Sequence, residues 1–201
     1  MLIFACILSA VVGYLLGSIN FALIICNIKF KEDVRTKGSG NAGMTNVLRN
    51  YGKKTAALTM LGDTVKGLVA VMAGRGLLLL LAPQSDMLYG AYIAGMFTIL
   101  GHLFPVFFGF KGGKGVATSL GVILSLQPLV ALALLSIFLF VFLISKMVSL
   151  GSVVGISLYP VLTLLRAVFF GGRLPVFTTV CAALFAGLIA LQHRGNMNSS
   201  T

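Results

Sequence analysis

Charged residues are scarce in this 201-residue sequence, at 9% of the total, whereas hydrophobic residues make up 58%. Soluble domains carry about 25% charged residues, so this composition excludes an ordinary soluble fold. Several apolar runs reach the length of about 20 residues that lets a helix cross a bilayer. The composition therefore predicts an all-α integral membrane protein, with a single polytopic transmembrane domain over residues 1–201.

Cysteine is also scarce, and Cys6, Cys26 and Cys181 all lie inside apolar runs. Thiols in such surroundings act as small hydrophobic side chains. Their positions match neither a disulfide framework nor the spacing of metal ligands. We therefore expect no metal site from the cysteines.

Acidic residues number only four, which leaves a formal net charge of +11. Seven basic residues lie between Lys29 and Lys54, against only Glu32 and Asp33. A short basic loop between apolar spans marks the cytoplasmic face of a membrane protein. Anionic lipids and phosphorylated substrates are the next partners that such a loop suits, and we expect no nucleic-acid partner.

The first half of the chain predicts three spans and one external turn. The spans are Leu2–Ile28, Thr55–Gly74 and Met87–Phe104, and the turn is Ala82–Asp86. Positive charge follows the first span and none precedes it, so we expect the N-terminus outside. The second span contains Asp63 and Lys66, three residues apart on one helical face, where they can form an ion pair.

The second half admits two counts of spans. Val116–Ser145 is either one long span or two helices divided at Pro128, because proline removes a backbone hydrogen bond. The undivided form would leave the C-terminus outside. The divided form predicts seven transmembrane helices with a cytoplasmic C-terminus, and we choose it. The remaining predicted segments are Met147–Leu165, an outer loop with Arg166 and Arg173, and Leu174–Gln192.

Glycine and lysine are concentrated in the run Gly109–Thr118, which reads G-F-K-G-G-K-G-V-A-T. Successive N–H groups of a glycine loop can form an anion nest, and a following helix N-terminus also favours phosphate. The run is not a Walker A loop, because Gly115 stands where a hydroxyl is required. A flexible basic loop between two helices is the alternative interpretation.

Two further polar runs accompany this loop. Ser39–Arg49 reads S-G-N-A-G-M-T-N-V-L-R and offers many donors, with Arg49 as a fork for phosphate. A plain turn, with Arg49 binding lipid headgroups, is the alternative. The third run, His193 and Arg194 with Asn196, follows the last apolar segment and is weak evidence by itself.

Taken together, the three runs resemble the cytoplasmic motifs of the bacterial acyl-phosphate:glycerol-3-phosphate acyltransferases, the PlsY family. The resemblance extends over nearly the whole chain, including D-x-x-K-G at Asp63–Gly67 and K-x-x-S-L at Lys146–Leu150. It implies a seven-helix enzyme of the bacterial cytoplasmic membrane whose active site is on the cytoplasmic face. The implied reaction moves a fatty acyl group from acyl phosphate to the 1-hydroxyl of glycerol 3-phosphate. The products are lysophosphatidic acid and phosphate, and no metal or nucleotide cofactor is used.

The resemblance also implies the site residues. The expected catalytic residues are Ser39, Arg49, Lys114, His193 and Asn196. The expected substrate-binding residues are Gly40, Asn41, Gly43, Thr45, Asn46, His102, Lys111, Gly112, Gly113, Gly115, Thr118 and Arg194. The sequence departs from the family pattern at Ala42, Met44 and Gly195, where proline, alanine and an acidic residue are usual.

Several chemical alternatives stay open at this stage. The hydroxyl proton passes either to a substrate phosphate oxygen, with His193 and Asn196 positioning, or to His193 as base. A covalent route through Ser39 lacks a visible His–Asp pair to activate it. An anion transporter and a non-catalytic lipid-binding scaffold are the rival functions. The sequence does not indicate an oligomeric state.

Overall fold

The structure is a computed structural model that describes the backbone of residues 1–197 and the side chains of residues 1–193. The described residues form helices and connecting loops, which confirms the all-helical prediction. The helices are α1 (Leu2–Ser18), α2 (Phe21–Phe30), α3 (Met44–Leu81), α4 (Leu88–Leu103), α5 (Val116–Leu126), α6 (Pro128–Ser145), α7 (Val148–Ser157), α8 (Tyr159–Phe170) and α9 (Pro175–Met197).

Six helical stretches are long and apolar enough to cross a membrane. They are Leu2–Phe30, Met44–Leu81, Leu88–Phe108, Pro128–Ser145, Val148–Phe170 and Pro175–His193. The break predicted at Pro128 is present, because α5 ends at Leu126 and α6 begins with that proline. Helix α5 has 11 residues and is about 16 Å long, which is about half the thickness of the hydrocarbon core.

The first predicted span agrees with the stretch Leu2–Phe30, but it consists of two helices. Helix α1 ends at Ser18, and the Asn20 side chain accepts a hydrogen bond from the Leu23 N–H to begin α2. Two other predicted boundaries were wrong. The second predicted span is part of the 38-residue α3, which is kinked at Gly52, where φ is +83°. Arg166 lies inside α8 and not in a loop, because the helix continues to Phe170.

Residues 1–126 form one compact unit whose helices pack through small residues. A Cβ atom on Gly17 of α1 would collide with the Thr98 carbonyl oxygen of α4. A Cβ atom on Gly121 of α5 would likewise collide with the Thr64 carbonyl oxygen of α3. Small residues let helix backbones approach closely in membranes, so these glycines set the spacing of the unit.

The short helix α5 is capped by a side chain from α3. Its last carbonyl groups have no partner within the helix, and an unsatisfied carbonyl in an apolar environment costs several kcal/mol (~2–7). The Arg75 Nη2 donates a hydrogen bond of 2.7 Å to the Ser125 carbonyl oxygen. This contact explains how a half-length helix can end inside the unit.

Residues 127–197 of the described chain belong to the second compact unit. Within it α6 packs on α7, and α9 packs on both α7 and α8. Tyr159 and Phe185 are buried side by side, with ring centroids 6.1 Å apart. Thr163 Oγ1 donates a hydrogen bond of 3.2 Å to Gln127 Oε1, which joins α8 to the residue before α6.

Candidate active site

The segment Lys31–Gly43, called the first loop below, is shaped by the buried amide of Asn46 at the start of α3. The Asn46 Nδ2 donates hydrogen bonds of 3.0 Å to the carbonyl oxygens of Val34 and Lys37. The Asn46 Oδ1 accepts from the Ser39 N–H at 3.1 Å. Asn46 was predicted to bind substrate, but its amide is already committed to the loop backbone. It therefore fixes the loop in which Ser39 is exposed.

The segment Gly109–Gly115, called the Gly/Lys loop below, is tied to the first loop by one arginine. The Arg35 Nη1 donates to the carbonyl oxygens of Phe108 at 2.8 Å and Lys111 at 3.0 Å. Its Nε and Nη2 form a forked contact with Asp33, whose shortest distance is 2.7 Å. The Arg35 guanidinium holds the pKa of the Asp33 carboxyl below its usual value. This forked ion pair orients the donors that reach the Gly/Lys loop.

Two N–H groups of the Gly/Lys loop close the loop on the end of α4. The Gly112 N–H donates to the Leu103 carbonyl oxygen at 3.1 Å, and the Gly113 N–H donates to the His102 carbonyl oxygen at 3.2 Å. The sequence predicted that these N–H groups would form an anion nest, and this part of the prediction was wrong. The glycines are needed because a Cβ atom on Gly112 would collide with the His102 carbonyl oxygen.

Three basic residues of the site have no carboxylate partner among the described side chains. Glu32 pairs with Lys37, Asp33 with Arg35 and Asp63 with Lys66, while the Asp86 carboxylate accepts a hydrogen bond from the Leu88 N–H. These are all four acidic residues of the chain. Among the described side chains, none forms an ion pair with the basic residues Arg49, Lys111 and Lys114.

Lys114 is half-buried, and its positive charge is disfavoured where it lies. Burial lowers the pKa of the Lys114 ammonium, and the nearby Arg49 guanidinium lowers it further. Two cations kept together without a counter-ion favour the binding of an anion. The arrangement can therefore hold a phosphate group and stabilise charge on a departing phosphate.

The start of α5 adds to this positive region. Gly115, at φ +80°, directly precedes the helix, and its carbonyl oxygen accepts from the Ser119 N–H at 2.7 Å. Thr118 is fully buried, and its Oγ1 has no hydrogen-bond partner among the described residues. The first turn of a helix presents free N–H groups and a positive dipole end. The site thus has a helix N-terminus beside Lys114.

A buried cluster of Asp63, Lys66 and His102 lies next to the Gly/Lys loop. The Lys66 Nζ is 2.8 Å from Asp63 Oδ1 and 2.9 Å from His102 Nδ1. A Cβ atom on Gly113 would collide with His102 Nε2. The sequence predicted the Asp63–Lys66 pair, and the structure confirms it, but the contact with His102 was not predicted.

The other predicted residues fall into three groups. The first unit places Gly40, Asn41, Gly43 and Thr45 on or directly after the first loop, and Lys111 exposed on the Gly/Lys loop. His193 is in the second unit, where its Nδ1 is 2.8 Å from the Ile189 carbonyl oxygen. The side chains of Arg194 and Asn196 lie outside the described residues.

Sequence reasoning missed Arg35 and Asp33. Their charges had been counted only as part of the basic segment. The available signal was weak, because a carboxylate two residues before an arginine is common in loops. The partners that reveal the role of Arg35 are carbonyl groups 73 and 76 residues away, and no side-chain pattern marks them.

Comparisons with known proteins agree on one family. A family model described as "Glycerol-3-phosphate acyltransferase" matches residues 7–200. A glycerol-3-phosphate acyltransferase of Clostridioides difficile (strain 630) is 47% identical over 159 residues, which are 79% of this chain and 77% of that protein. One from Neisseria gonorrhoeae (strain NCCP11945) is 44% identical over 187 residues, covering 92% of this chain and 88% of the relative.

Two solved structures are also similar to this chain. Both are crystal structures of PlsY (YgiH), an integral membrane glycerol 3-phosphate acyltransferase, and both are 36% identical to this chain. The glycerol 3-phosphate form matches with a TM-score of 0.79 and the lysophosphatidic acid form with 0.77. Each match covers 96% of this chain and 90% of the other.

Proposed function

This chain belongs to the glycerol-3-phosphate acyltransferase family, and we propose that its acyl donor is acyl phosphate. In the proposed reaction the 1-hydroxyl oxygen of glycerol 3-phosphate attacks the acyl carbonyl carbon. The bond from that carbon to the phosphate oxygen breaks. Phosphate leaves with the electron pair, and the other product is lysophosphatidic acid. Similarity to PlsY structures in glycerol 3-phosphate and lysophosphatidic acid forms supports this acceptor and product.

The observation that carries the proposal is the unpaired cationic pair of Arg49 and Lys114. Both proposed substrates contain phosphate, and no carboxylate of the described chain neutralises these two groups. Acyl phosphate is a mixed anhydride, so its carbonyl is already activated and needs no covalent enzyme intermediate. Catalysis then consists of positioning the two substrates and stabilising the charge of the departing phosphate.

The residue roles follow the chemistry of each substrate. The Gly/Lys loop, with Lys111, Lys114 and the start of α5, binds the phosphate of glycerol 3-phosphate. Ser39 and Arg49 bind the reacting end of acyl phosphate, while Gly40, Asn41, Gly43 and Thr45 shape the loop around it. The hydroxyl proton passes to a substrate phosphate oxygen. His193, Arg194 and Asn196 position the substrates for that transfer.

The membrane arrangement completes the proposal. We count α5 with the six longer stretches, which gives seven spans in a single domain over residues 1–201. The N-terminus then lies outside and the C-terminus in the cytoplasm. The basic first loop and the Gly/Lys loop face the cytoplasm of a bacterial inner membrane, where soluble glycerol 3-phosphate is present. The acyl chain is held among the spans and the surrounding lipids.

The direct test uses purified protein in detergent with labelled glycerol 3-phosphate and two acyl donors. Acyl phosphate should give lysophosphatidic acid, and acyl-CoA should give none, because its bulky nucleotide does not suit a small cationic pocket. The Lys114→Met variant should lose at least about tenfold in rate, the value of one charged contact. The matched control Lys54→Met, at an exposed position, should keep the wild-type rate.

Two results would overturn the proposal. Robust transfer from acyl-CoA would mean that the cationic pair does not bind the leaving group. Uptake of glycerol 3-phosphate into vesicles that contain the protein, with no lysophosphatidic acid formed from acyl phosphate, would identify a transporter instead.

A further inference from the structure

The chain leaves helical geometry between α1 and α2, inside the apolar stretch Leu2–Phe30. Ile19 and Asn20 both have extended backbone angles there. Free backbone groups are costly at membrane depth, so a broken helix is tolerated only where the protein supplies partners for them. The contacts of this break, called the α1–α2 junction (residues 18–20) below, therefore show which parts of the protein it supports.

The α1–α2 junction is itself held from two sides. The Lys66 Nζ of α3 donates a hydrogen bond of 2.7 Å to the Ile19 carbonyl oxygen. The Val106 N–H, in the segment between α4 and the Gly/Lys loop, donates to Ser18 Oγ at 3.3 Å. A side chain that extends from this junction therefore extends from backbone that is bonded to both α3 and the segment after α4.

The Asn20 side chain is fully buried and uses both ends of its amide. Its Oδ1 accepts a hydrogen bond from the Leu23 N–H at 3.1 Å and so caps α2. Its Nδ2 donates to the Ala42 carbonyl oxygen of the first loop at 3.2 Å. Capping requires only an acceptor, which serine or threonine would also supply. The bond to Ala42 requires a donor at the end of a longer side chain, so capping does not explain it.

Ala42 lies where the first loop, α3 and the Gly/Lys loop meet. It directly precedes Gly43, the N-cap residue of α3, and Arg49 lies in the second turn of that helix. A Cβ atom on Gly113 would lie 2.5 Å from the Ala42 carbonyl oxygen, so the two loops touch here without room for a side chain. Lys114 is the next residue of the Gly/Lys loop. The carbonyl that Asn20 holds therefore adjoins both cation-bearing segments of the site.

We propose that Asn20 is a positioning residue for acyl transfer, which sets the spacing between the first loop and the Gly/Lys loop by holding the Ala42 carbonyl oxygen. The inference rests on the proposed function, in which the Gly/Lys loop binds glycerol 3-phosphate and Arg49 binds the reacting end of acyl phosphate. Each substrate keeps its own contacts when the spacing changes. The acceptor hydroxyl is then misaligned with the acyl carbonyl carbon, and this alignment matters in the transition state.

The test is a series of three substitutions of Asn20, followed by steady-state kinetics for both substrates. Asn20→Ser and Asn20→Thr keep an oxygen that caps α2, but their hydroxyls are one bond shorter than the amide and do not reach Ala42. Asn20→Ala removes both hydrogen bonds. We expect kcat to fall at least about tenfold in all three, with each KM within about twofold of the wild-type value. The melting temperatures of the serine and threonine variants should exceed that of the alanine variant.

Two further choices protect the test against a loss of folding. Asn20→Thr fills more of the buried space than Asn20→Ser, so it keeps the test available if the serine variant does not fold. Thr98→Val is the matched control, because the buried Thr98 Oγ1 donates at 3.0 Å to the Gly13 carbonyl oxygen and joins α4 to α1. This control loses a buried bond to a carbonyl group without changing either loop. It should lower the melting temperature and leave kcat within about twofold.

Three results would overturn the inference. A wild-type kcat in Asn20→Ser or Asn20→Thr would mean that Asn20 only caps α2. A loss of kcat in Thr98→Val as large as that in the Asn20 variants would mean that acyl transfer responds to any loosening of the unit. A rise of the KM for glycerol 3-phosphate that accounts for the whole loss of kcat/KM would mean that Asn20 supports binding and not alignment.

The failure of this inference can be distinguished from the failure of the proposed function. The kinetics use the acyl donor that the wild-type protein accepts. Failure of the proposed donor would appear in the wild-type protein, as transfer from acyl-CoA instead of acyl phosphate, and the Asn20 series would then be measured with acyl-CoA. Failure of this inference would appear only in the variants, as one of the three results above.

Discussion

The first loop and the Gly/Lys loop are stabilised by different kinds of contact. In the first loop the side chains of Asn46 and Asp33 bond the loop backbone, so the sequence near the loop determines its shape. The described hydrogen bonds of the Gly/Lys loop join it to groups outside it. Arg35 and the Ser119 N–H donate to its carbonyl groups, and its own N–H groups donate to the carbonyl oxygens of Leu103, His102 and Pro105. The first loop is therefore stabilised by side chains close to it in sequence, whereas the Gly/Lys loop is stabilised by the first loop and by the end of α4.

Because groups outside the Gly/Lys loop stabilise it, the lysines of that loop are available for a ligand. A loop that stabilised itself would use its polar side chains for internal bonds. Lys111 and Lys114 form no ion pair with a described residue, while the backbone around them is held at fixed positions. A pre-organised pair of charges binds phosphate without the cost of ordering the loop.

The largest effect should come from Gly112→Ala, which breaks the support of the Gly/Lys loop at its tightest contact. The new Cβ atom would meet the backbone oxygen of His102 and lie 2.7 Å from Pro105 Cδ, and the main chain cannot yield easily. Overpacking of about 3 kcal/mol predicts about a hundredfold loss of kcat/KM for glycerol 3-phosphate. The loss should come mainly through KM, because Lys114 is displaced in the ground state as well.

Gly109→Ala is the matched control for this substitution in steady-state kinetics. Gly109 has φ +66°, but nothing lies within 4 Å of its added Cβ atom. It should lose only about fivefold in kcat/KM, since a left-handed residue with a side chain costs about 1 kcal/mol. Equal losses in the two variants would show that flexibility, and not the contact with α4, is what the loop requires.

A smaller effect is expected from Arg35→Lys, which breaks the link between the loops. Lysine keeps the charge, but its single ammonium cannot form the two-pronged contact with the Asp33 carboxylate and also donate to two carbonyl groups. We expect about a tenfold loss of kcat/KM, the value of a charged hydrogen bond of about 1.5 kcal/mol. The control Lys37→Gln removes the exposed pair with Glu32 and should stay within about twofold. A native rate in Arg35→Lys would mean that the loops are independent.

The smallest effect is a shift of the alkaline side of the pH profile. Because burial and Arg49 lower the pKa of Lys114, its positive charge is lost at a lower pH than that of an ordinary lysine as pH rises. The KM for glycerol 3-phosphate should therefore rise early on the alkaline side. In Arg49→Gln one of the two causes is removed, so the alkaline limb of kcat/KM should move to higher pH although the maximum is lower. If the alkaline limb of kcat/KM does not move in Arg49→Gln, the charge of Arg49 does not affect the titration of Lys114.

The sequence predicted the large features of the fold because they depend on composition and on single residues. The Pro128 break was predictable, since proline cannot donate the helical hydrogen bond. The Asp63–Lys66 pair was predictable from spacing on one helical face. The kink at Gly52 was not, because the predicted span began at Thr55 and the polar run before it was interpreted as a loop; the structure shows helix from Met44 with φ +83° at Gly52.

The sequence indicated which residue types form the candidate site, but not which of them stabilise the loops instead of facing a ligand. The polar runs indicated a phosphate site, which stays a prediction, and in the structure the positive charge of Arg49 contributes to the lowered pKa of Lys114. The sequence could not show that Asn46 and the N–H groups of Gly112 and Gly113 serve the loops, because their partners are main-chain carbonyl groups. Whenever a backbone atom is the partner, residue identity carries no signal of the contact.

The most direct test of the supported-loop account is the dissociation constant of glycerol 3-phosphate, measured by titration calorimetry in detergent without any acyl donor. The wild-type protein and Lys54→Met should bind it equally. Lys114→Met should bind at least about tenfold more weakly, because one charged contact is lost. Equal dissociation constants in all three proteins would contradict the account, since Lys114 would then make no contact with glycerol 3-phosphate.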